Sequence, residues 1–300
     1  MRVFFIALIF LSAAVFVIYE NNFVRFPQNI FFTKPPVQED QTLLPYPVRI
    51  KGFVQVPQIS ARSAVVIDAK TGIVLYEKEP NLRHPPASVT KLMTAITSLE
   101  KCTPQTDVRI NTPVSEGTLM GLDHGDLVSI QSLLYGMLIA SGNDAAFALS
   151  YACTDSYNQF IASMNQKAKE LAMTNTHFTN PAGFDDSLHY STAKDLAKLA
   201  KVAVASPLIS KIVSTKSTIV TDVTGIKTYY LENINQLLGE VEGLEGVKTG
   251  QTEGSLEVLV TKTTRFKNTI IVVILGSNDR FGESKEIIEW AFKNHQWVSP

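Results

Sequence analysis

A serine and a lysine three residues apart, Ser88 and Lys91, are the residues of this sequence best suited to covalent chemistry. Residues at this spacing share one face of a helix, so the hydroxyl and the amine can meet. Ser88 follows Pro85-Pro86 and is expected to open a helix over 88–100, where free N–H groups and the helix dipole favour an anionic oxygen. A lysine in an apolar wall loses its proton more readily and can accept the hydroxyl proton. The pair therefore predicts a serine nucleophile with a lysine as its general base.

The S-x-x-K pattern is weak evidence alone, because it recurs at Ser98–Lys101 and Ser191–Lys194. Two companion patterns also recur: S-x-N at 141–143 and 156–158, among others, and K-T-G at 70–72 and 248–250. Penicillin-binding proteins and class A β-lactamases carry S-x-x-K, an S-D-N-type element and K-T-G together. Only an ordered set of all three is therefore informative.

One combination keeps the three patterns in this order and in suitable settings. Ser141 ends the apolar segment LLYGMLIA, as expected of a loop between two helices, and Lys248 leads towards the predicted strand SLEVLVTK. Lys70 precedes every candidate serine, and Ser191 follows every S-x-N pattern. Ser98 lies near the end of its helix, where the dipole opposes an anion. The selected set is Ser88, Ser141 and Lys248.

Composition excludes several other classes of function. Of the 300 residues, 45% are hydrophobic and 18% charged, which is typical of a globular protein. The formal net charge of −1 gives no electrostatic reason to expect nucleic acid. The five histidines form no H-x-x-x-H or H-E-x-x-H pair, so no metal site or other cofactor is expected. Cys102 and Cys153 are expected to be buried or half-buried thiols, with a disulfide as the alternative.

The first 58 residues predict export and tethering. Residues 3–19 form a run of 17 uncharged residues, at the lower limit for a membrane-spanning helix. We expect an uncleaved signal anchor, with the apolar core of a cleaved signal peptide as the alternative. Residues 20–58 hold six prolines and predict an extended linker. A domain over residues 59–300 is then expected on the outer face of the cytoplasmic membrane.

Hydrophobic periodicity predicts an α+β domain. Strand patterns stand at both ends of the domain and pair as two hairpins, 63–68 with 73–78 and 255–264 with 268–276. Helical patterns run from 129 to about 205, with an interruption near 180–183, and a closing helix covers 284–294. This order predicts an antiparallel sheet flanked by helices, with an inserted helical lobe.

Four blocks accompany the motifs: DAKTGIVLYEKEPNLRHPPASVTKLMTA, LLYGMLIASGNDAAFALS, HFTNPAGFDDSLHYSTAKDLAKLA and NINQLLGEVEGLEGVKTGQT. In these blocks, the sequence from about Ser63 to Phe292 resembles the low-molecular-mass penicillin-binding proteins that act as D-alanyl-D-alanine carboxypeptidases. The resemblance implies a β-lactamase/transpeptidase-like fold and peptidoglycan stem peptides as substrates. It also implies that β-lactams inhibit by acylating Ser88.

The resemblance implies three catalytic residues. Ser88 would attack the carbonyl between the two terminal D-alanines of the stem peptide, and Lys91 would take its proton. Ser141 would relay a proton towards the leaving amine, and D-alanine would leave from an acyl-enzyme.

Four further residues would bind the substrate, by the same resemblance. Asn143 would bond the peptide backbone, while Lys248 and Thr249 would bind the terminal carboxylate. The backbone N–H groups of Gln251 and Ser88 would form the oxyanion hole, a type of interaction worth about 2.7–4 kcal/mol per donor.

The sequence departs from the family pattern at two places. A small Ala-Gly pair usually follows K-T-G-x-T, whereas this chain has Ser255 and Leu256. Some members carry a basic residue where this chain has Ile234. Carboxylate recognition is then expected to rest on the K-T-G residues, with Arg280 as a further candidate.

Three alternatives remain open in the sequence. The first is an endopeptidase of the same fold. The second is a β-lactamase, which needs a glutamate to position a deacylating water, and Glu170 is the nearest candidate. The third is a non-catalytic module that senses β-lactams or binds the cell wall.

Overall fold

The computed structural model describes residues 44–52 and 55–300. The predicted membrane segment and most of the predicted linker lie outside these residues. No helix among the described residues is both long and apolar enough to cross a membrane.

The described chain alternates short strands with a central group of helices. The strands are β1 (Tyr46–Arg49), β2 (Ser63–Asp68), β3 (Val74–Lys78), β4 (Asp107–Arg109), β5 (Leu127–Ser129), β6 (Ser217–Thr221), β7 (Thr228–Glu232), β8 (Leu244–Thr252), β9 (Leu256–Arg265), β10 (Asn268–Ser277) and β11 (His295–Val298). The α-helices are α1 (Lys91–Lys101), α2 (Ile130–Leu138), α3 (Asn143–Ala152), α4 (Tyr157–Glu170), α5 (Ala193–Ala205), α6 (Pro207–Val213) and α7 (Arg280–Asn294).

A five-stranded antiparallel sheet, in the order β3-β2-β10-β9-β8, lies at the centre of the domain. Strand β10 is apolar along its length because both of its faces are covered. Its side chains alternate between two cores: Ile271 and Val273 face the helical lobe, and Ile270 and Val272 face α7. Both predicted hairpins, β2–β3 and β9–β10, are confirmed.

Helices α2–α5 form the lobe that the sequence predicted between the two groups of strands. Ser129, Ser156 and Thr192 cap the first turns of α2, α4 and α5 with their side-chain oxygens. The stretch from 171 to 192 contains no helix, so the break around 180–183 is longer than predicted. The α+β class with an inserted helical lobe is confirmed.

Part of the predicted linker belongs to the domain. Strand β1 pairs antiparallel with β11, so the linker predicted over 20–58 ends before Tyr46. This pairing joins opposite ends of the chain, and local periodicity carries no signal for it. Pro47 is tolerated because a two-stranded ribbon leaves free edges where its missing N–H is not needed.

The structure adds one strand to the prediction and corrects one expectation. Lys248 lies in β8, a strand that the sequence did not predict, and β8 leads into the predicted strand β9 and pairs with it. Cys102 and Cys153 form a disulfide, with 5.4 Å between their Cα atoms, instead of two separate thiols. The bridge joins the ends of α1 and α3, a proximity that sequence spacing cannot reveal.

Candidate active site

Ser88 lies in a tight turn whose backbone is enclosed by two glycines. Residues 87–90 form a single 3₁₀ turn, and α1 begins only at Lys91, so the regular helix predicted from 88 starts later. A Cβ on Gly183 would lie 1.8 Å from the carbonyl oxygen of Ala87, and one on Gly250 would lie 2.8 Å from the amide nitrogen of Ser88. Only glycine therefore lets both neighbouring segments close on this turn.

Three oxygens surround the amine of Lys91, which is fully buried. Its Nζ lies 2.8 Å from Ser88 Oγ, from Asn143 Oδ1 and from the carbonyl oxygen of Ala182. Two of these oxygens belong to amides and can only accept, whereas the serine hydroxyl can also donate. A neutral amine fits this arrangement, because its two N–H groups satisfy the amide oxygens and its lone pair faces the serine hydroxyl.

The environment of Lys91 favours that neutral form. Burial lowers the pKa of Lys91 well below its ordinary value, and the positive charge of Lys248 lowers it further. The carboxylate of Asp144 acts in the opposite direction, but it is occupied by the backbone amides of 120, 121 and 122, which lie 2.8–3.0 Å away. Lys91 thus has the properties of a general base.

Ser141 and Lys248 form a second contact beside the first. Ser141 lies in the short connection between α2 and α3, with φ +62°, and its Oγ lies 2.9 Å from Lys248 Nζ. Lys248 also donates to the carbonyl oxygen of Thr249 at 2.9 Å. Burial, and then the charge of Arg280, lower the pKa of Lys248 to about 7. Near neutral pH this lysine is therefore close to half-charged.

The first contact opens through Ser88 into a cleft of about 400 Å³, which Asn143 and Gln251 also line. Lys91 lies behind Ser88 and Asn143, and the charge of Lys248 reaches Lys91 from the second contact. Six of the seven predicted site residues thus have a side chain in the cleft or in the network behind it. Thr249 joins the network through its main-chain carbonyl.

Arg280, a further candidate from the sequence, contacts strand β8 near Lys248. Its guanidinium donates to the carbonyl oxygen of Gly250 at 2.9 Å and lies 3.4 Å from Gln251 Oε1. It brings positive charge close to Lys248, while Ile234, at the other position considered, supplies none. Arg280 is the first residue of α7, so its approach depends on packing between distant segments.

Sequence reasoning missed the residues that hold this network in place. Asn180 Oδ1 accepts from the backbone amides of 182, 183 and 184, at 2.7–3.2 Å, which fixes the Ala182 carbonyl on Lys91. His189 Nδ1 accepts from the amide of Thr179, so its Nε2–H points to Thr90 Oγ1, 2.8 Å away. Burial lowers the pKa of His189 to about 4, which keeps it neutral. The N-P-x-G pattern indicated a turn at 180–183 but not its contact with the lysine.

Known proteins resemble this chain over most of its length. A family model described as D-alanyl-D-alanine carboxypeptidase matches residues 51–279. The D-alanyl-D-alanine carboxypeptidase DacF of Bacillus subtilis is 34% identical over 246 residues, covering 79% of this chain and 63% of its own. The carboxypeptidase DacC of Escherichia coli is 31% identical, and 65% of its length is covered. This chain therefore spans less than two thirds of both relatives.

Two other relatives are covered more completely. The D-alanyl-D-alanine endopeptidase of Escherichia coli is 31% identical, covering 78% of both chains. The crystal structure of the Streptomyces K15 DD-transpeptidase superposes with a TM-score of 0.76 at 31% identity, covering 80% of this chain and 100% of the other. The resemblance that the sequence motifs indicated is thereby confirmed, and the chain belongs to the D-alanyl-D-alanine carboxypeptidase family.

Proposed function

We propose that this chain is a serine D-Ala-D-Ala carboxypeptidase that removes the terminal D-alanine of peptidoglycan stem peptides through an acyl-enzyme on Ser88. One observation carries the proposal: Ser88 lines the cleft with its hydroxyl 2.8 Å from the amine of the buried Lys91. The Ser141–Lys248 contact lies close enough for the charge of Lys248 to lower the pKa of Lys91. The names of the relatives support the same reaction.

Acylation follows from the contacts of Ser88. As Ser88 Oγ attacks the carbonyl carbon between the two D-alanines, its proton passes to Lys91 Nζ, 2.8 Å away. The C–N bond breaks, and the leaving amine receives a proton through Ser141. D-alanine departs, and the remaining peptide is held as an ester on Ser88. Water then hydrolyses this ester with Lys91 as base, which restores the serine hydroxyl.

Charge stabilisation comes from the strand side of the cleft. The backbone N–H groups of Ser88 and Gln251 stabilise the oxyanion, and the close packing of Gly250 on the Ser88 amide brings them together. Lys248 and Thr249 bind the terminal carboxylate, and Arg280 adds positive charge behind them. Asn143 orients the peptide backbone. β-Lactams acylate the same serine, because they imitate the D-Ala-D-Ala bond.

The position of Glu170 argues against the β-lactamase alternative. It is exposed at the end of α4, where it pairs with Lys167 at 2.6 Å, and it is absent from the lining of the cleft. A slowly hydrolysed penicillin adduct is therefore expected.

Residues 1–19 would anchor the enzyme so that the domain lies on the outer face of the cytoplasmic membrane.

The test is to incubate residues 44–300 with a fluorescent penicillin and with a peptide that ends in D-Ala-D-Ala. We expect a stable covalent label and release of D-alanine. Ser88→Ala should lose both signals, whereas Ser98→Ala, which alters the serine of a second S-x-x-K pattern in α1, should keep them.

Each other outcome has a defined meaning. Rapid turnover of penicillin would indicate a β-lactamase, and cleavage of only a cross-linked dimer would indicate an endopeptidase. The absence of a label would favour a non-catalytic module. A label that persists in Ser88→Ala would exclude Ser88 as the nucleophile.

A further inference from the structure

We propose that the β9–β10 turn and the lysines around it form a docking surface for an anionic lipid bilayer. We call this surface the basic turn and define it by Phe266, Lys267, Lys70 and Lys201. The proposal concerns how the domain is positioned and goes beyond the proposed reaction, on which it does not depend.

Phe266 has no structural reason to be where it is. Its side chain is 91% exposed, more than any other large hydrophobic side chain among the described residues. It also occupies the left-handed region with φ +50°, as does Lys267 with φ +67°. A two-residue hairpin turn of this kind favours Asn and Gly. Neither packing nor backbone preference therefore accounts for a phenylalanine at this position.

Three lysines form a linked cluster at the turn that carries Phe266. Lys70 Nζ donates to the carbonyl oxygen of Lys267 at 3.3 Å, and Lys201 Nζ donates to that of Lys70 at 3.1 Å. None of the three forms an ion pair with a carboxylate in the part of the chain that the structure describes. The three lysines therefore keep their charges unpaired, whereas Arg265, next to Phe266, is paired with Glu289.

The chain enters the domain at the same end of the sheet. Pro47 of β1 pairs with Trp297, whose indole donates to Asp68 at the turn that follows β2. Two residues later, Arg49 lies over Trp290, which packs on Tyr76 in the middle of β3. Strand β1 thus runs from the end of the sheet that carries the basic turn towards its middle. The residues before it include the uncharged run 3–19.

An exposed aromatic side chain beside a cluster of lysines is suited to an anionic membrane surface. The ring enters the interface, and the lysines are attracted by the negative surface potential. The whole chain has a formal net charge of −1, so attraction must come from a local cluster. The cleft remains accessible in this orientation. Gly250 pairs with Val258, seven residues along β9 from Arg265, which places it roughly 23 Å from the turn.

The test measures the binding of residues 43–300 to lipid vesicles. These residues form one compact unit that contains both cores, and the K15 enzyme shows that a chain of matching extent folds. We expect sedimentation with vesicles of phosphatidylcholine and phosphatidylglycerol, and none with phosphatidylcholine alone.

Two variants separate the contributions to binding. Phe266→Asn keeps a residue suited to the turn and should weaken binding about tenfold or more. Changing Lys70, Lys201 and Lys267 to Gln should weaken it about fivefold for each lysine. The matched control changes Lys101, Lys169 and Lys194 to Gln, which alters the net charge equally on α1, α4 and α5 and should leave binding unchanged.

Three results would overturn the proposal: no binding to the anionic vesicles, equal loss in the two lysine variants, or full binding by Phe266→Asn. The last would indicate that binding rests on charge alone and that Phe266 does not enter the interface. D-alanine release should be unchanged in every variant. The membrane proposal and the proposed reaction can therefore be refuted independently of each other.

Discussion

The two walls of the cleft each bury a lysine, but they surround it differently. Lys91, on the helical wall, contacts only a serine hydroxyl and two amide oxygens. Lys248, on the strand wall, contacts a hydroxyl and a main-chain carbonyl and lies near the charge of Arg280. Burial lowers the pKa of both amines. The proposed reaction nevertheless needs Lys91 neutral, as a base, and Lys248 charged, to hold a carboxylate.

The walls also differ in how they are fixed. On the helical wall, Asn180 binds three backbone amides and Asp144 binds four, and the disulfide joins α1 to α3. On the strand wall, β8 is an edge strand that pairs only with β9. A general base must hold its geometry to the serine, whereas a carboxylate site tolerates more adjustment. The rigid wall carries the base.

The largest effect should come from removing that base. Lys91→Met keeps the volume of the buried side chain but has no amine, so acylation of Ser88 should slow by about 10²–10⁴-fold. The acylation rate with fluorescent penicillin measures this directly. Lys101→Met, in the neighbouring S-x-x-K pattern, is the matched control and should acylate at the normal rate. Equal rates in the two variants would exclude Lys91 as the base.

The disulfide should contribute most to the stability of the helical wall. It closes a loop with a sequence separation of 51, and the loss of this constraint in Cys102→Ala/Cys153→Ala should cost about 4 kcal/mol of unfolding free energy. Urea unfolding measures the change. A reducing agent should destabilise the unaltered protein to a similar degree and leave the double variant unaffected. An unchanged unfolding midpoint would contradict this role.

Local patterns predicted the hairpins and the order of the motifs, but not the strand that carries Lys248. Strand β8 contains Gly246 and Gly250, which lowers its strand propensity. A Cβ at Gly246 would lie 2.6 Å from the carbonyl oxygen of Val213, and Gly250 packs on the Ser88 amide. Close backbone packing thus takes precedence over propensity here. Such packing depends on distant segments and is invisible in a local window.

The same reasoning explains which parts of the site could be predicted. Ser88 and Lys91 share one short helical segment, so their contact follows from spacing alone. The contact of Lys248 with Ser141 joins residues 107 positions apart, and only family motifs indicated it. The Ala182 carbonyl could not be predicted, because a main-chain oxygen has no sequence signature.

The opposite charge requirements of the two lysines can be tested by pH. Lys248, with a pKa of about 7, is protonated below this pH and neutral above it. Carboxylate binding should therefore weaken above pH 7, and kcat/KM for a D-Ala-D-Ala peptide should fall up to tenfold per pH unit. The pH dependence that Lys91 contributes runs in the opposite direction. Activity is lost as the pH falls through the lowered pKa of Lys91, because the protonated amine cannot act as a base. Lys248→Arg keeps its charge to higher pH and should remove the alkaline decline. A decline that persists in this variant would assign it to another group.

The smallest effect concerns the mouth of the cleft. Glu116 lines the cleft through an exposed side chain that forms no ion pair among the described residues, whereas Asp185 nearby is bonded to Thr252 Oγ1 and to the amide of Gly254. A free carboxylate there would attract a stem peptide that carries a side-chain amine. Because the site is exposed to solvent, Glu116→Gln should lower kcat/KM for such a peptide by about fivefold at most. The same peptide with its amine acetylated should show no difference between the two enzymes. An equal loss for both peptides would mean that Glu116 supports the shape of the cleft and does not recognise charge.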